Sequence, residues 1–276
     1  MSDHDAPNSI LPYYNRGLEQ DRLLHDTGKL EHARTQIILQ QYLPPAPATI
    51  VDVGGGAGIY ALWLARLGYR VHLIDFVPLH IEQARQASAN QPDSPLASAQ
   101  VGDARQLSTG DASADAVLLL GPLYHLTTRD DRVQALREAH RILRPGGIVA
   151  AAVISRFASL MDGLHSGYLA DPEFAAGVAH DLQTGQHRNV TNHPEYFTTA
   201  YLHHPSEIRA ELEDAGLRVD TILAVEGPGW LMANFEDAWA DNAQRSRLLD
   251  FAQTVETEPT IIGASAHIIA IGRKTG

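Results

Sequence analysis

A glycine-dense turn, Gly54-Gly55-Gly56-Ala57-Gly58, joins a β-branched run at 49–53 to an apolar-faced helical stretch at 60–67, which Gly68 ends. Strand, glycine turn and helix in that order open a doubly wound sheet. The turn lets backbone N–H groups approach a ligand at the carboxyl ends of the strands. The same rhythm continues downstream. The spacing predicts strands at 70–74, 97–101, 114–120 and 148–154 and helices at 79–89 and 129–143, the second helix stopped by Arg144-Pro145-Gly146-Gly147. Strands that alternate with helices pair in parallel through right-handed crossovers. The expected fold class is therefore α/β, doubly wound and Rossmann-like.

Two segments depart from this pattern. Residues 1–12 are polar, and 16–42 carry apolar residues at helical spacing until Pro44, Pro45 and Pro47 stop them, since proline cannot donate to a helical ladder. This predicts an N-terminal helical cap over 1–47, with the main domain spanning 48–276. Within that domain, 156–205 breaks the rhythm: 157–179 reads as mostly helical, and 183–201 is rich in His, Thr, Asn and aromatics. Irregular insertions of this kind carry binding functions, so an acceptor pocket or lid is expected there. A helix at 205–215, a strand at 217–225, a helix at 235–255 and a last strand at 265–271 complete the reading.

The glycine spacing bears on the ligand. In the dinucleotide fingerprint G-x-G-x-x-G the third glycine would fall at Ile59, but here Gly54, Gly56 and Gly58 are spaced G-x-G-x-G. The phosphate-cradling G-x-x-x-x-G-K-[ST] is also absent, so the loop favours a nucleoside ligand without phosphates. Asp75 follows the second strand, where a carboxylate accepts both hydroxyl hydrogens of a ribose. Asp103, after the third strand, is placed to accept from an adenine amino group. The plainer readings are a strand-end surface residue for Asp75 and a turn-former for Asp103. An NAD-dependent Rossmann oxidoreductase is the rival enzyme class, opposed by the misplaced third glycine, and a non-catalytic cofactor-binding protein is a further alternative.

Taken together, Val51-Asp52-Val53-Gly54-Gly55-Gly56-Ala57-Gly58, Asp75, Gly102-Asp103-Ala104 and Arg144-Pro145-Gly146-Gly147 resemble the class I S-adenosylmethionine-dependent methyltransferases in order and separation across 48–155. Among these the chain is similar to the ubiquinone/menaquinone-biosynthesis-like small-molecule enzymes. The resemblance implies a seven-stranded sheet in order 3-2-1-4-5-7-6 with the last strand antiparallel. It also implies S-adenosylmethionine as cofactor and S-adenosylhomocysteine as product. Carried over position by position, it implies that Gly54, Gly56 and Gly58 border the methionine and ribose portions and that Asp75, with Phe76 beside it, holds the ribose. Asp103 and Ala104 would flank the adenine, and Leu120 and Gly121 would lie beside the sulfonium. Asp52 would orient the glycine loop or meet the cofactor amino group through water. N-terminal helices cover the cofactor in such enzymes, which puts Tyr13, Tyr14 or Arg34 at the methionine carboxylate.

Methyl transfer to an O, N or C nucleophile of a small molecule, the expected function, is an in-line displacement that requires placement of the nucleophile and exclusion of water, and no metal. The sequence has no cysteine and no H-E-x-x-H, and His203-His204 are adjacent, so no metal site is expected. A general base helps when the acceptor is a hydroxyl or a protonated amine, and imidazole suits it. His125, after the fourth strand, is the first candidate, followed by His193 and His203. Tyr124, His165, Tyr196, Tyr201 and Trp230 are the expected acceptor contacts, combining rigid rings with polar handles. Packing or a surface position is the plainer reading for each. Lys plus Arg is 21 against 33 for Asp plus Glu, a net charge of −12 with no basic run, which argues against nucleic acid and for a small-molecule acceptor. No leader-like or membrane-spanning run is present in the sequence, so the expectation is a cytoplasmic monomer or homodimer without a membrane partner.

Overall fold

The computed structural model describes Leu11, Tyr13, Tyr14 and residues 22–189 and 196–276. Its centre is a parallel sheet of β1 (Thr49–Val53), β2 (Arg70–Asp75), β3 (Ser98–Val101), β4 (Ala114–Leu119) and β5 (Leu143–Ser155), ordered β3-β2-β1-β4-β5. Two short strands in the insertion, β6 (Gln186–His187) and β7 (Ala200–His203), form an antiparallel pair, and β7 runs parallel to the end of β5 at Ile154 and Ser155. The sheet closes with β8 (Leu217–Ala224) and β9 (His267–Lys274). β9 is antiparallel to β5, from Ile148↔Arg273 to Ile154↔His267, and antiparallel to β8. Leaving out the β6–β7 pair, the order is the 3-2-1-4-5-7-6 expected, with the last strand antiparallel.

The helices are α1 (Gly28–Tyr42), α2 (Ile59–Arg66), α3 (Pro78–Ala89), α4 (Arg129–Ile142), α5 (Ala158–Ser166), α6 (Pro172–Thr184), α7 (Glu207–Asp214), α8 (Phe235–Ala240) and α9 (Asn242–Val255). Alternate strand residues feed two cores. Val51, Val53, Leu119 and Val149 pack with Leu136 and Leu212 of α4 and α7, while Ile50, Leu118 and Ala150 pack with Ile38, Leu64 and Ile81 of α1, α2 and α3. Each fully buried Leu or Ile contributes roughly 1.5–3 kcal/mol, so a sheet covered on both faces is held chiefly by these two layers.

Two expectations are corrected. The single helix predicted at 235–255 is two, because Asp241 stops α8 and its carboxylate then caps α9 by accepting from Gln244 N at 2.8 Å. The strand after α4 starts earlier than expected, since Leu143 already pairs with Ala114, and the Arg144-Pro145-Gly146-Gly147 stretch forms an irregularity in β5 with Gly146 at φ +82°. No described helix is long and apolar enough to cross a membrane.

Candidate active site

The loops after β1, β2 and β4 meet at the carboxyl end of the sheet. Gly54 has φ +72°, and a Cβ there would sit 2.6 Å from Pro122 Cδ; a Cβ on Gly121 would sit 2.8 Å from the Gly54 carbonyl oxygen. Glycine at both positions lets the turns after β1 and β4 touch. Gly56, at φ +58°, has open space where a Cβ would be, so its backbone forms bare cleft wall.

Asp75 ends β2 facing this wall. Its Oδ2 accepts from Gly56 N at 2.8 Å, and Oδ1 accepts from Val77 N at 2.8 Å and lies 3.0 Å from His80 Nδ1. Backbone donors from two loops thus fix the carboxylate, leaving acceptor capacity for a hydroxyl ligand. Asp52 lies beneath the loop, 1% exposed, and neither of its carboxylate oxygens has a partner among the described residues. Burial, with a smaller contribution from the Asp75 charge, pushes its carboxyl up to about 7. An orphaned buried carboxylate of this kind is suited to an ammonium group.

These residues line a single cleft with Phe76, Asp103, Ala104, Leu120 and Gly121. A methyltransferase-domain family matches residues 51–151, which span the glycine turn, Asp75, Asp103 and the β4 end. Over this core the chain is similar to the class I S-adenosylmethionine-dependent methyltransferases.

Similarity to individual proteins centres on the same core. An S-adenosyl-L-methionine-dependent Diels-Alderase of Talaromyces variabilis is 32% identical over 41% of this chain and 38% of its own length. A ubiquinone biosynthesis O-methyltransferase of Methylocella silvestris is 34% identical over 45% and 48% respectively. A protein named probable tRNA methyltransferase 9B, from Bos taurus, is 27% identical over 52% of this chain and 27% of its own length. The matched stretches span less than half the length of these curated relatives. In fold, the chain is similar to a SAM-dependent methyltransferase from Methanosarcina mazei, with a TM-score of 0.58 at 19% identity over 86% of this chain and 97% of the other.

S-adenosylmethionine is the cofactor of this family, and the residues present fit it: a fixed carboxylate for a ribose at Asp75, an unpartnered one for an ammonium at Asp52, and bare backbone at Gly56. Gly58, the left-handed residue before α2, does not line the cleft. Asp103 does, although Arg105 engages both of its oxygens and holds its carboxyl low against the effect of burial. Arg34 is fully buried away from the cleft, where it donates to the Val225 carbonyl and to Glu256. The guanidinium that reaches the cleft is that of Arg22, paired with Glu31 at 2.6 and 3.0 Å. Arg22, Glu31 and His80 are cleft residues that the sequence reading missed, and nothing in their local sequence marks them.

His125 lies in the short turn Leu123–His125 after β4 and lines the cleft with Tyr124 and Tyr14. Its Nδ1 faces the Thr199 carbonyl at 3.3 Å, and a carbonyl can only accept, so Nδ1 carries the proton and Nε2 is bare. The Tyr14 hydroxyl, 2.5 Å away, therefore donates to Nε2. Burial lowers the imidazole to about 4, opposed more weakly by the Thr199 contact and by Asp75.

The remaining candidates lie elsewhere. His203 is fully buried with its Nε2 3.2 Å from Glu211, and burial outweighs that carboxylate to lower it. The Tyr201 ring lies beneath the Arg132 guanidinium at 3.7 Å, in a separate pocket. Trp230 is buried with its indole donating to the Ala264 carbonyl, and His165 is exposed near the end of α5. Tyr196 lines a chamber within the insertion, and His193 lies outside the described residues.

Proposed function

We propose that the protein transfers a methyl group from S-adenosylmethionine to a hydroxyl or amine of a small molecule, with Tyr14 and His125 handling the acceptor proton. The observation that carries this is the sharing of one cleft by Asp52, Gly56 and Asp75 and the Tyr14–His125 pair, beside Leu120 and Gly121 at the end of β4. Bound there, the cofactor supplies an electrophilic sulfonium methyl. Asp75 would hold its ribose, Asp52 its ammonium and Arg22 its carboxylate. Tyr14, donating to the bare Nε2 of His125, lines the cleft where its hydroxyl oxygen would accept from an acceptor O–H or N–H. As the acceptor loses its proton, the hydroxyl hydrogen passes to Nε2 and Tyr14 takes the acceptor's, so the charge arrives on the imidazole. Leu23 and Leu126 add apolar wall that limits water at the cleft.

The net charge of −12 and the absence of basic runs favour a small molecule over tRNA as acceptor. The test is incubation with methyl-labelled cofactor and, separately, a panel of phenols, alcohols and amines, bulk tRNA, or no acceptor. Labelled small-molecule product together with S-adenosylhomocysteine is expected. Label in tRNA alone, or bond-forming chemistry on a substrate without label transfer, would overturn the reading.

A further inference from the structure

A row of alternating charges runs from the cleft wall to the far strands of the sheet. Arg22, in the short turn Arg22–Leu24, lines the cleft, and its two terminal nitrogens meet both oxygens of Glu31 in the first turn of α1. Gly28, which opens α1, permits this approach, because a Cβ there would collide with the Arg22 carbonyl oxygen. Behind Glu31, at 3.6 Å from its Oε2, stands Nδ1 of His267, the first residue of β9, which donates to Glu226 Oε1 at 2.7 Å. Glu226 is buried just after β8 and is fixed in turn. Its Oε2 accepts from Ser265 Oγ at 2.7 Å and from His267 N at 3.0 Å, while Ser265 Oγ accepts from the backbone of Glu226 and Gly227.

These contacts bear on the one member that faces the cleft most openly. The Arg22 side chain is 37% exposed, against 13% for Glu31. A long side chain so exposed samples many rotamers, and a ligand that engages it has to immobilise it first. A bidentate carboxylate removes that freedom beforehand, since the planar fork accepts it in one orientation and uses only two of the five N–H donors of a guanidinium. Glu31 does this only while it is held and ionised. Burial would raise its carboxyl, but Arg22 and His267 outweigh burial and hold it down at about 2. Burial would likewise lower His267, but Glu31 and Glu226 outweigh it and raise the imidazole above its usual value.

We propose that Glu31, braced by His267 and Glu226, is a positioning residue that holds Arg22 ready for the carboxylate of the cofactor's amino-acid arm. This rests on the methyltransferase reading, in which Arg22 takes that carboxylate. The test is calorimetric titration of the whole chain with S-adenosylhomocysteine and with 5′-methylthioadenosine, which keeps the adenosine and sulfur but lacks the amino-acid arm. Arg22→Ala should weaken S-adenosylhomocysteine binding by about tenfold or more, and Glu31→Gln by about fivefold or more. Both should leave 5′-methylthioadenosine within about twofold of wild type, whereas a merely structural role would weaken the two ligands alike. The double variant should bind S-adenosylhomocysteine no more weakly than Arg22→Ala alone, as expected when one residue acts through the other. His267→Gln, further from the cleft, should show the same selective loss at about threefold, and it carries the test if Glu31→Gln fails to fold. Equal losses for both ligands, or no selective loss in Glu31→Gln and His267→Gln, would overturn the proposal. So would tighter binding of S-adenosylhomocysteine by Glu31→Gln, the result if Glu31 competes with the ligand for Arg22. Failure of the wild-type protein to bind S-adenosylhomocysteine would instead overturn the methyltransferase reading, and this proposal with it.

Discussion

The His125 ring is shaped by three neighbours: the Thr199 carbonyl that fixes its tautomer, the Tyr14 hydroxyl that it accepts from, and the buried surroundings that hold it near 4. It is therefore neutral, and able to take a proton, throughout the ordinary assay range. The rate of methyl transfer should show no histidine-type fall near pH 6.5, and any acid limb from this ring should lie near 4. Tyr14→Phe and His125→Ala should each lower kcat by roughly 10²-fold near neutrality, with the gap closing at alkaline pH where the acceptor is already deprotonated. A pH–rate series on the three proteins checks this. The same shift makes a stability statement. The folded value lies below the unfolded one, so the unfolded chain takes up the proton first, and stability falls as pH drops from about 6.5 to about 4. The thermal midpoint of the wild-type protein should thus decline with acid more steeply over that window than that of His125→Ala. At this scale the sequence was legible where the backbone decides and silent where tertiary contact does. Asp75 and Gly56 follow from their place in the strand–turn–helix unit. Which arginine reaches the cleft depends on partners far along the chain, and Arg34 is drawn instead to Glu256.

Among the elements, the contact between the turns after β1 and β4 carries the most consequence, because it brings the cleft-lining glycines against the turn that leads to His125. A methyl group at Gly121 would press on the Gly54 carbonyl at 2.8 Å, which is backbone and cannot rotate away. Gly121→Ala should accordingly weaken S-adenosylhomocysteine binding by about tenfold or more while the sheet persists, as calorimetry and circular dichroism together would report. The strands that build this arrangement were readable because each is buried on both faces and reads as a short apolar run; Ile50 to Val53 are all buried. The insertion was not. β6 and β7 are two and four residues long, β6 pairs only with β7 among the described strands, and β7 otherwise meets only the last residues of β5, so neither has a periodic signature. The break in α8–α9 did carry a signal, Asp241 followed three residues later by Gln244, which is a capping pattern inside a helical stretch.

For the whole molecule, the N-terminal helix α1 is tied to the remainder by buried charge as well as by apolar packing. Arg34 joins it to the end of β8 at Val225 and to Glu256 just after α9. Removing one partner of such a pair leaves an uncompensated buried charge, so Arg34→Met should cost about 3–5 kcal/mol in chemical denaturation. Lys29→Met, on the same helix as Arg34, breaks only the exposed pair with Glu236 of α8 and should cost at most about 1 kcal/mol. The account as a whole rests on a cleft built for S-adenosylmethionine and not for a dinucleotide. Calorimetric titration of the wild-type protein and Asp75→Ala with S-adenosylhomocysteine and with NAD tests this most directly. The wild-type protein should bind S-adenosylhomocysteine and not NAD, and Asp75→Ala, with its fold retained, should lose about 1.5–3 kcal/mol of that affinity. Tighter binding of NAD, or affinity for S-adenosylhomocysteine unchanged by the loss of Asp75, would contradict it.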